Sequence, residues 1–213
     1  YGERVLALLS RARQSLTAKY EIQLREPIHV EIFPDQRDFA IRTFGLPGGA
    51  GFLGVCFGSV ITATSPAAQG EQPSNWEAVL WHEFCHVVTL QKTNNKMPRW
   101  LSEGISVYEE KLADAGWGQS MSAAYREIIL GDGLTPVSQL SGAFLSPPSP
   151  LHLQFAYFES SLVVEYLVEH YGLETLKRIL VDLSVGMPIN ESLQRYTGSL
   201  ALLDQEFEQF ARA

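Results

Sequence analysis

The chain is poor in cysteine, has no basic cluster and lacks any long apolar run, and each absence excludes something. Cys56 and Cys85 are the only two cysteines among 213 residues. They are too few for a disulfide framework and suit either redox compartment, so an extracytoplasmic or a cytoplasmic location stays open. No stretch of about 18 apolar residues occurs, which leaves no transmembrane segment to predict in this sequence. The first residues, Tyr1-Gly2-Glu3-Arg4, resemble neither a signal peptide nor a natural start, and a fragment or processed product is expected. Lys and Arg number 16 against 24 Asp and Glu, a net charge of −8. Proteins that track phosphates need a basic patch, so nucleic acid is not an expected partner.

What is present is apolar and patterned. With 46% hydrophobic and 19% charged positions, the chain can bury a full core as a single domain, residues 1–213. Its first part, to about residue 97, reads as an α/β lobe, and the remainder, from about residue 98, as a helical one. Val5, Leu8, Leu9, Ala12 and Leu16 recur at helical spacing between Glu3 and Tyr20. Ile28, Val30 and Ile32 alternate with His29 and Glu31, the period of a half-buried strand that leaves His29 on its exposed face. A short helix follows Pro34-Asp35 and ends at Gly45 and the loop Leu46-Pro47-Gly48-Gly49. Phe52 to Phe57 and Val60 to Ala63, broken by Gly58-Ser59, read as a hairpin, and 65–73 as a surface loop.

The stretch that carries chemistry is His82-Glu83-Phe84-Cys85-His86, within Trp76 to Leu90. Ser74 and Glu77 stand in the relation of a capping box at its start. At about 100° per residue, His82, Glu83 and His86 share one helix face, while Leu80, Phe84 and Val87 form a packing stripe and Cys85 reads as a buried structural thiol. Two imidazoles one turn apart with a carboxylate beside them are the H-E-x-x-H zinc motif. A catalytic zinc needs three protein ligands and one open position. Glu103, Glu109, Glu110, His152 and His170 are the downstream candidates. Glu103 fits best, on the next helix (Arg99 to about Ala113, after the turn Thr93-Asn94-Asn95-Lys96 and Pro98), among Trp100, Leu101 and Ile105, where an unpaired carboxylate is costly to bury. Helical patterns continue over 119–130, 155–171, 173–183, 190–196 and 200–212. Between the first two, Gly131 to Leu153 is a long irregular connection.

His82-Glu83-Phe84-Cys85-His86 followed by Pro98-Arg99-Trp100-Leu101-Ser102-Glu103-Gly104, and then by Tyr157-Phe158-Glu159-Ser160-Ser161, resembles the peptidase MA-like family of gluzincin metallopeptidases. The likeness spans nearly the whole chain, with the first two blocks the specific ones. It implies an α+β, zincin-like (thermolysin-like) catalytic domain with a small N-terminal sheet and a mostly helical C-terminal half. It also implies one catalytic Zn2+ held by His82, His86 and Glu103, Glu83 as general base, and a peptide or protein substrate. Members of this family often carry helical repeats upstream. In related zinc aminopeptidases a tyrosine at a helix start steadies the tetrahedral intermediate, and Tyr157 occupies that place, with the family's following Lys and Gly absent. Nothing between Gly45 and Ser74 matches their Gly-Ala-Met-Glu-Asn strand, so aminopeptidase activity is not expected. Substrate is expected along an exposed edge of the hairpin sheet.

Two other readings use the same residues: a zincin-fold interaction domain without turnover, and a zinc hydrolase of non-peptide amide or ester bonds. Retention of Glu83 disfavours the first, because a structural site has no use for a base. His170, near a helix C-terminus, reads as structural. His152 reads as a surface-loop histidine, with donation to an oxyanion as the alternative.

Overall fold

The computed structural model describes residues 1–25, 27–45, 52–69 and 75–213. They form a mostly helical α+β protein with one three-stranded sheet, in two compact units, Tyr1–Gln91 and Lys92–Ala213.

In the first unit, α1 (Gly2–Lys19) buries the expected stripe of Val5, Leu8, Leu9, Ala12 and Leu16. Strand β1 (His29–Phe33) has the alternation read from the sequence, with His29 and Glu31 exposed. Helix α2 (Gln36–Phe44) starts where the Asp35 carboxylate accepts the Asp38 N–H at 2.7 Å. It stops at Gly45, which takes the left-handed φ of 73° at little cost because it has no Cβ. The loop expected after Gly45 lies outside the described residues. Strands β2 (Gly54–Phe57) and β3 (Val60–Thr64) form the expected antiparallel hairpin, and β3 also pairs in parallel with β1. The order β1-β3-β2 puts the apolar β3 in the middle, with Ile61, Thr62, Ala63 and Thr64 buried, and leaves β2 as an edge. The 65–73 segment read as a loop holds a 3-10 turn at Pro66–Gln69.

Helix α3 (Trp76–Lys92) closes this unit. Its start is capped by the Asn75 side-chain carbonyl, which accepts the N–H groups of Glu77 and Ala78 at 3.1 and 3.2 Å. Ser74, read as the cap, lies outside the described residues, and the Glu77 carboxylate pairs with Arg4 at 3.1 Å.

The second unit opens on a turn in which Asn94 and Asn95 take the left-handed conformation that asparagine tolerates. Helix α4 (Arg99–Ala113) follows Pro98, and α5 (Ala123–Leu130) is shorter than its periodicity suggested. Ser122 caps α5, accepting the Tyr125 N–H at 3.1 Å, while Gln119 instead accepts the Tyr125 hydroxyl at 2.9 Å. Helix α6 (Pro150–Tyr171) begins five residues before the expected Phe155. Ser149 caps it and Pro150 takes the first helical position, where a missing N–H costs nothing. Helices α7 (Leu173–Ser184), α8 (Ile189–Thr197) and α9 (Leu200–Arg212) match their patterns to within a residue. Asp182 ties α7 to α8 through Ser192 and Arg195, each at 2.9 Å. Among the described residues no helix is long and apolar enough to cross a membrane.

A close helix crossing and an anchored connection organise this unit. Gly104 sits so close to α6 that a Cβ there would lie 2.5 Å from the Ser160 carbonyl oxygen, so the α4–α6 crossing requires glycine at that position. The 131–149 connection is tied to neighbouring helices, and a 3-10 turn (Val137–Gly142) lies within it. Ser138 donates its N–H and hydroxyl to Asp204 at 2.9 and 2.6 Å, and Thr135 donates to the buried Glu159.

Burial pushes the Glu159 carboxyl up to about 7, although the Thr135 donors oppose the shift. From the ordinary carboxylate value of 4.5 up to about 7, the folded state keeps a proton that the unfolded chain releases. The contribution of this group to stability therefore falls as pH rises through that window. Glu159→Gln keeps an acceptor for Thr135 without the charge. Thermal unfolding should show the variant close to the wild type near about pH 5 and progressively more stable than it towards about pH 8. A constant difference across that range would contradict the assignment.

Candidate active site

In the first unit the site begins with α3. His82 and His86 lie one turn apart, their Nε2 atoms 3.0 Å from each other and their rings edge to face at 4.7 Å. Two imidazole ligands of a tetrahedral zinc, at Zn–N distances of about 2.0–2.1 Å, would have their nitrogens roughly 3.3 Å apart. The pair fits a shared metal ion without rearrangement of the helix. His86 is 9% and Glu83 7% exposed, and His82 is half-buried.

The sequence suggested that α3 packs through one stripe alone. The helix is instead buried on most of its circumference, because Trp81, Cys85, Val88 and Thr89 are covered as fully as Leu80, Phe84 and Val87. Cys85 is wholly buried, as its small apolar character suggested.

Glu83 is aimed at the sheet. A Cβ at Gly54 on β2 would meet the Glu83 Cγ and Val79 Cγ1 at 2.8 Å and Glu83 Oε1 at 3.0 Å. Glycine at the start of this edge strand is what lets the carboxylate lie against the strand backbone. Cys56, also on β2, responds to the same arrangement: burial, with the Glu83 charge adding to it, pushes its thiol up to about 12, so it stays neutral.

The second unit contributes a different group. Glu103, one turn into α4, is 13% exposed at its side chain, and its Oε1 accepts from Arg99 Nε at 3.4 Å. Arg99 Nη2 donates to the Tyr157 hydroxyl oxygen at 2.9 Å, and the guanidinium lies 5.1 Å from the centre of the buried Phe144 ring. Tyr157 meets Phe144 edge-on at 5.1 Å. Desolvation opposes the Arg99 charge, but Tyr157 and Glu103 outweigh it and hold its pKa above the ordinary value.

Several sequence readings need correction. Tyr157 is not at a helix start but two turns into α6, and His152 is not in a loop but in the first turn of that helix. The His152 Nδ1 lies 2.8 Å from Ser149 Oγ, so the ring belongs to the cap. His170 lies in the last turn of α6 and is structural, as read, packing on Tyr166 and Phe210 at 4.3 and 5.7 Å. Glu109 and Glu110 are buried further along α4. Arg99 was missed, since its partner Tyr157 lies 58 residues away; its only local signal is the i, i+4 relation to Glu103. Gly54 was missed because its role is the absence of a side chain.

These contacts predict the behaviour of Gly54→Ala. The added methyl must displace Glu83 and Val79, at a cost of about 1–3 kcal/mol for an overpacked site. The variant should keep the metal affinity of the wild type, as the imidazoles are untouched, and lose at least about tenfold in any hydrolysis that depends on Glu83. Wild-type turnover in Gly54→Ala would show that Glu83 placement does not matter.

A family model described as the peptidase MA superfamily matches residues 11–213. No curated protein and no solved structure matches the chain. The match takes in α3, α4 and α6 entire and omits only the first half of α1. The chain, with its α+β architecture, therefore belongs to the peptidase MA superfamily, a membership that suggests a metallopeptidase-like function.

Proposed function

We propose that the protein is a zinc-dependent metallopeptidase of the gluzincin type, with a thermolysin-like catalytic domain that takes in both compact units. The observation that carries the reading is the α3 constellation: two imidazoles at ligand spacing, with the Glu83 carboxylate packed beside them against an edge strand. Superfamily membership and the Trp100-Leu101-Ser102-Glu103-Gly104 block support it.

In this reading His82, His86 and Glu103 hold one zinc ion. When bound, zinc supplies Lewis acidity that brings the pKa of water down to about 7 and polarises a carbonyl. Glu83 takes the proton from the attacking water and passes it to the leaving amine. Its burial keeps bulk water from competing for that proton. Tyr157 donates its phenolic hydrogen to the oxyanion of the tetrahedral intermediate. Among the described residues β2 is an edge strand, and its outer side offers backbone groups to an extended peptide, which would place a scissile bond along the strand that Glu83 faces.

Glu83→Gln is the informative variant. Casein and a mixed peptide library should be cleaved by the zinc-loaded wild type. The variant should lose roughly 10²–10⁴-fold in rate, the range for removal of a general base, while its zinc content stays that of the wild type. Undiminished cleavage by the variant would reject Glu83 as the base. A wild type that holds zinc and cleaves neither probe would favour a binding domain instead.

A further inference from the structure

We propose that Arg99 is a positioning residue that fixes the Glu103 carboxylate and the Tyr157 phenol relative to one another. The inference rests on the reading of Glu103 as a metal ligand and Tyr157 as an oxyanion donor, and it assigns a role to a side chain that the motif leaves undefined.

Helix energetics argue that Arg99 is there for something other than folding. It is the first residue of α4, where the unpaired N–H groups carry partial positive charge and a cation is disfavoured. Its ion pair with Glu103 runs in the weaker order for an i, i+4 pair, base before acid. The guanidinium side chain is 51% exposed, so solvent screens the attraction and the pair adds little to stability. A glutamate or serine would serve the start of α4 better.

The geometry gives the arginine a task that lysine cannot perform. One planar fork reaches two partners on two helices, Nε to Glu103 on α4 and Nη2 to Tyr157 on α6. Phe144 lies 5.1 Å from the guanidinium carbon and 5.1 Å from the Tyr157 ring, and so backs both groups. The helices themselves are locked one turn beyond this point by the Gly104–Ser160 contact.

Donor accounting then sets the direction of the phenol. Arginine has no acceptor, so in the Arg99–Tyr157 bond the phenolic oxygen must accept. That bond does not use the phenolic hydrogen, and a cation on the oxygen polarises the O–H into a stronger donor. At the other end the bond to Glu103 uses one carboxylate oxygen and restrains the rotation of the group, the usual service of an outer hydrogen bond to a metal-binding carboxylate.

The test pairs zinc binding with a double-mutant cycle. Zinc affinity is measured by competition with a chromophoric chelator for the wild type and Arg99→Gln. Turnover of a fluorogenic peptide that the wild type cleaves is measured for Arg99→Lys, Tyr157→Phe and the double variant. Arg99→Gln should bind zinc about tenfold more weakly, the lower end for loss of an outer-sphere partner. Arg99→Lys, which keeps the charge, and Tyr157→Phe should each lower kcat at least about tenfold with KM little changed, and the double variant should lose clearly less than the product of the two single losses, because part of the arginine's effect runs through the phenol. Zinc affinity equal to the wild type in Arg99→Gln, or losses that multiply in the double variant, would overturn the proposal. A wild type that binds no zinc or cleaves no peptide would instead overturn the metallopeptidase reading, and this inference with it.

Discussion

Two imidazoles 3.0 Å apart on successive turns of a largely buried helix are the constraint on which the first unit depends. Nitrogens held at that distance either share a proton or share a metal ion, and desolvation makes leaving them without either expensive. The neighbouring parts serve the same end. Asn75 fixes where α3 begins, the three-stranded sheet presents β2 as an edge, and glycine at position 54 spares Glu83 a side chain that would push it away. The buried Glu83 carboxylate lies against β2 next to Gly54, which suits the proton-transfer role proposed for it.

The second unit solves a different problem, the placement of an acid and a phenol that lie far apart in sequence. The close approach of α4 and α6 at Gly104 and Ser160 sets the registry of the two helices. With the registry set, Glu103 and Tyr157 come within reach of one guanidinium. The glycine that follows Glu103 is thus a packing residue with a definite partner, the Ser160 backbone. Asp204 and Glu159 tie the 131–149 connection to α9 and α6, which turns a segment rich in Gly, Ser and Pro into part of the framework.

Elements whose formation depends on periodicity were legible in the sequence: the α1 stripe, the alternation of β1, the hairpin and the three closing helices. The spacing of His82 and His86 alone dictates that they are neighbours on one helix. Features that depend on long-range contact were not legible. The sequence Ser146-Pro147-Pro148-Ser149-Pro150 reads as loop, yet its last two residues start a 22-residue helix, since serine and proline are breakers inside a helix and favourable at its first positions. That misreading put His152 in a loop and Tyr157 at a helix start. Arg99 carries no pattern of its own, and the value of Gly54 lies in an atom it does not have.

The most direct test of the central claim is the zinc content of the purified protein beside that of Glu103→Ala, because it needs no knowledge of the substrate. The account predicts about one zinc per chain in the wild type and its loss in the variant, as a site reduced to two imidazoles cannot hold the ion well. A wild type that stays empty when zinc is supplied, or a variant that retains the full complement, would contradict the three-ligand metallopeptidase centre.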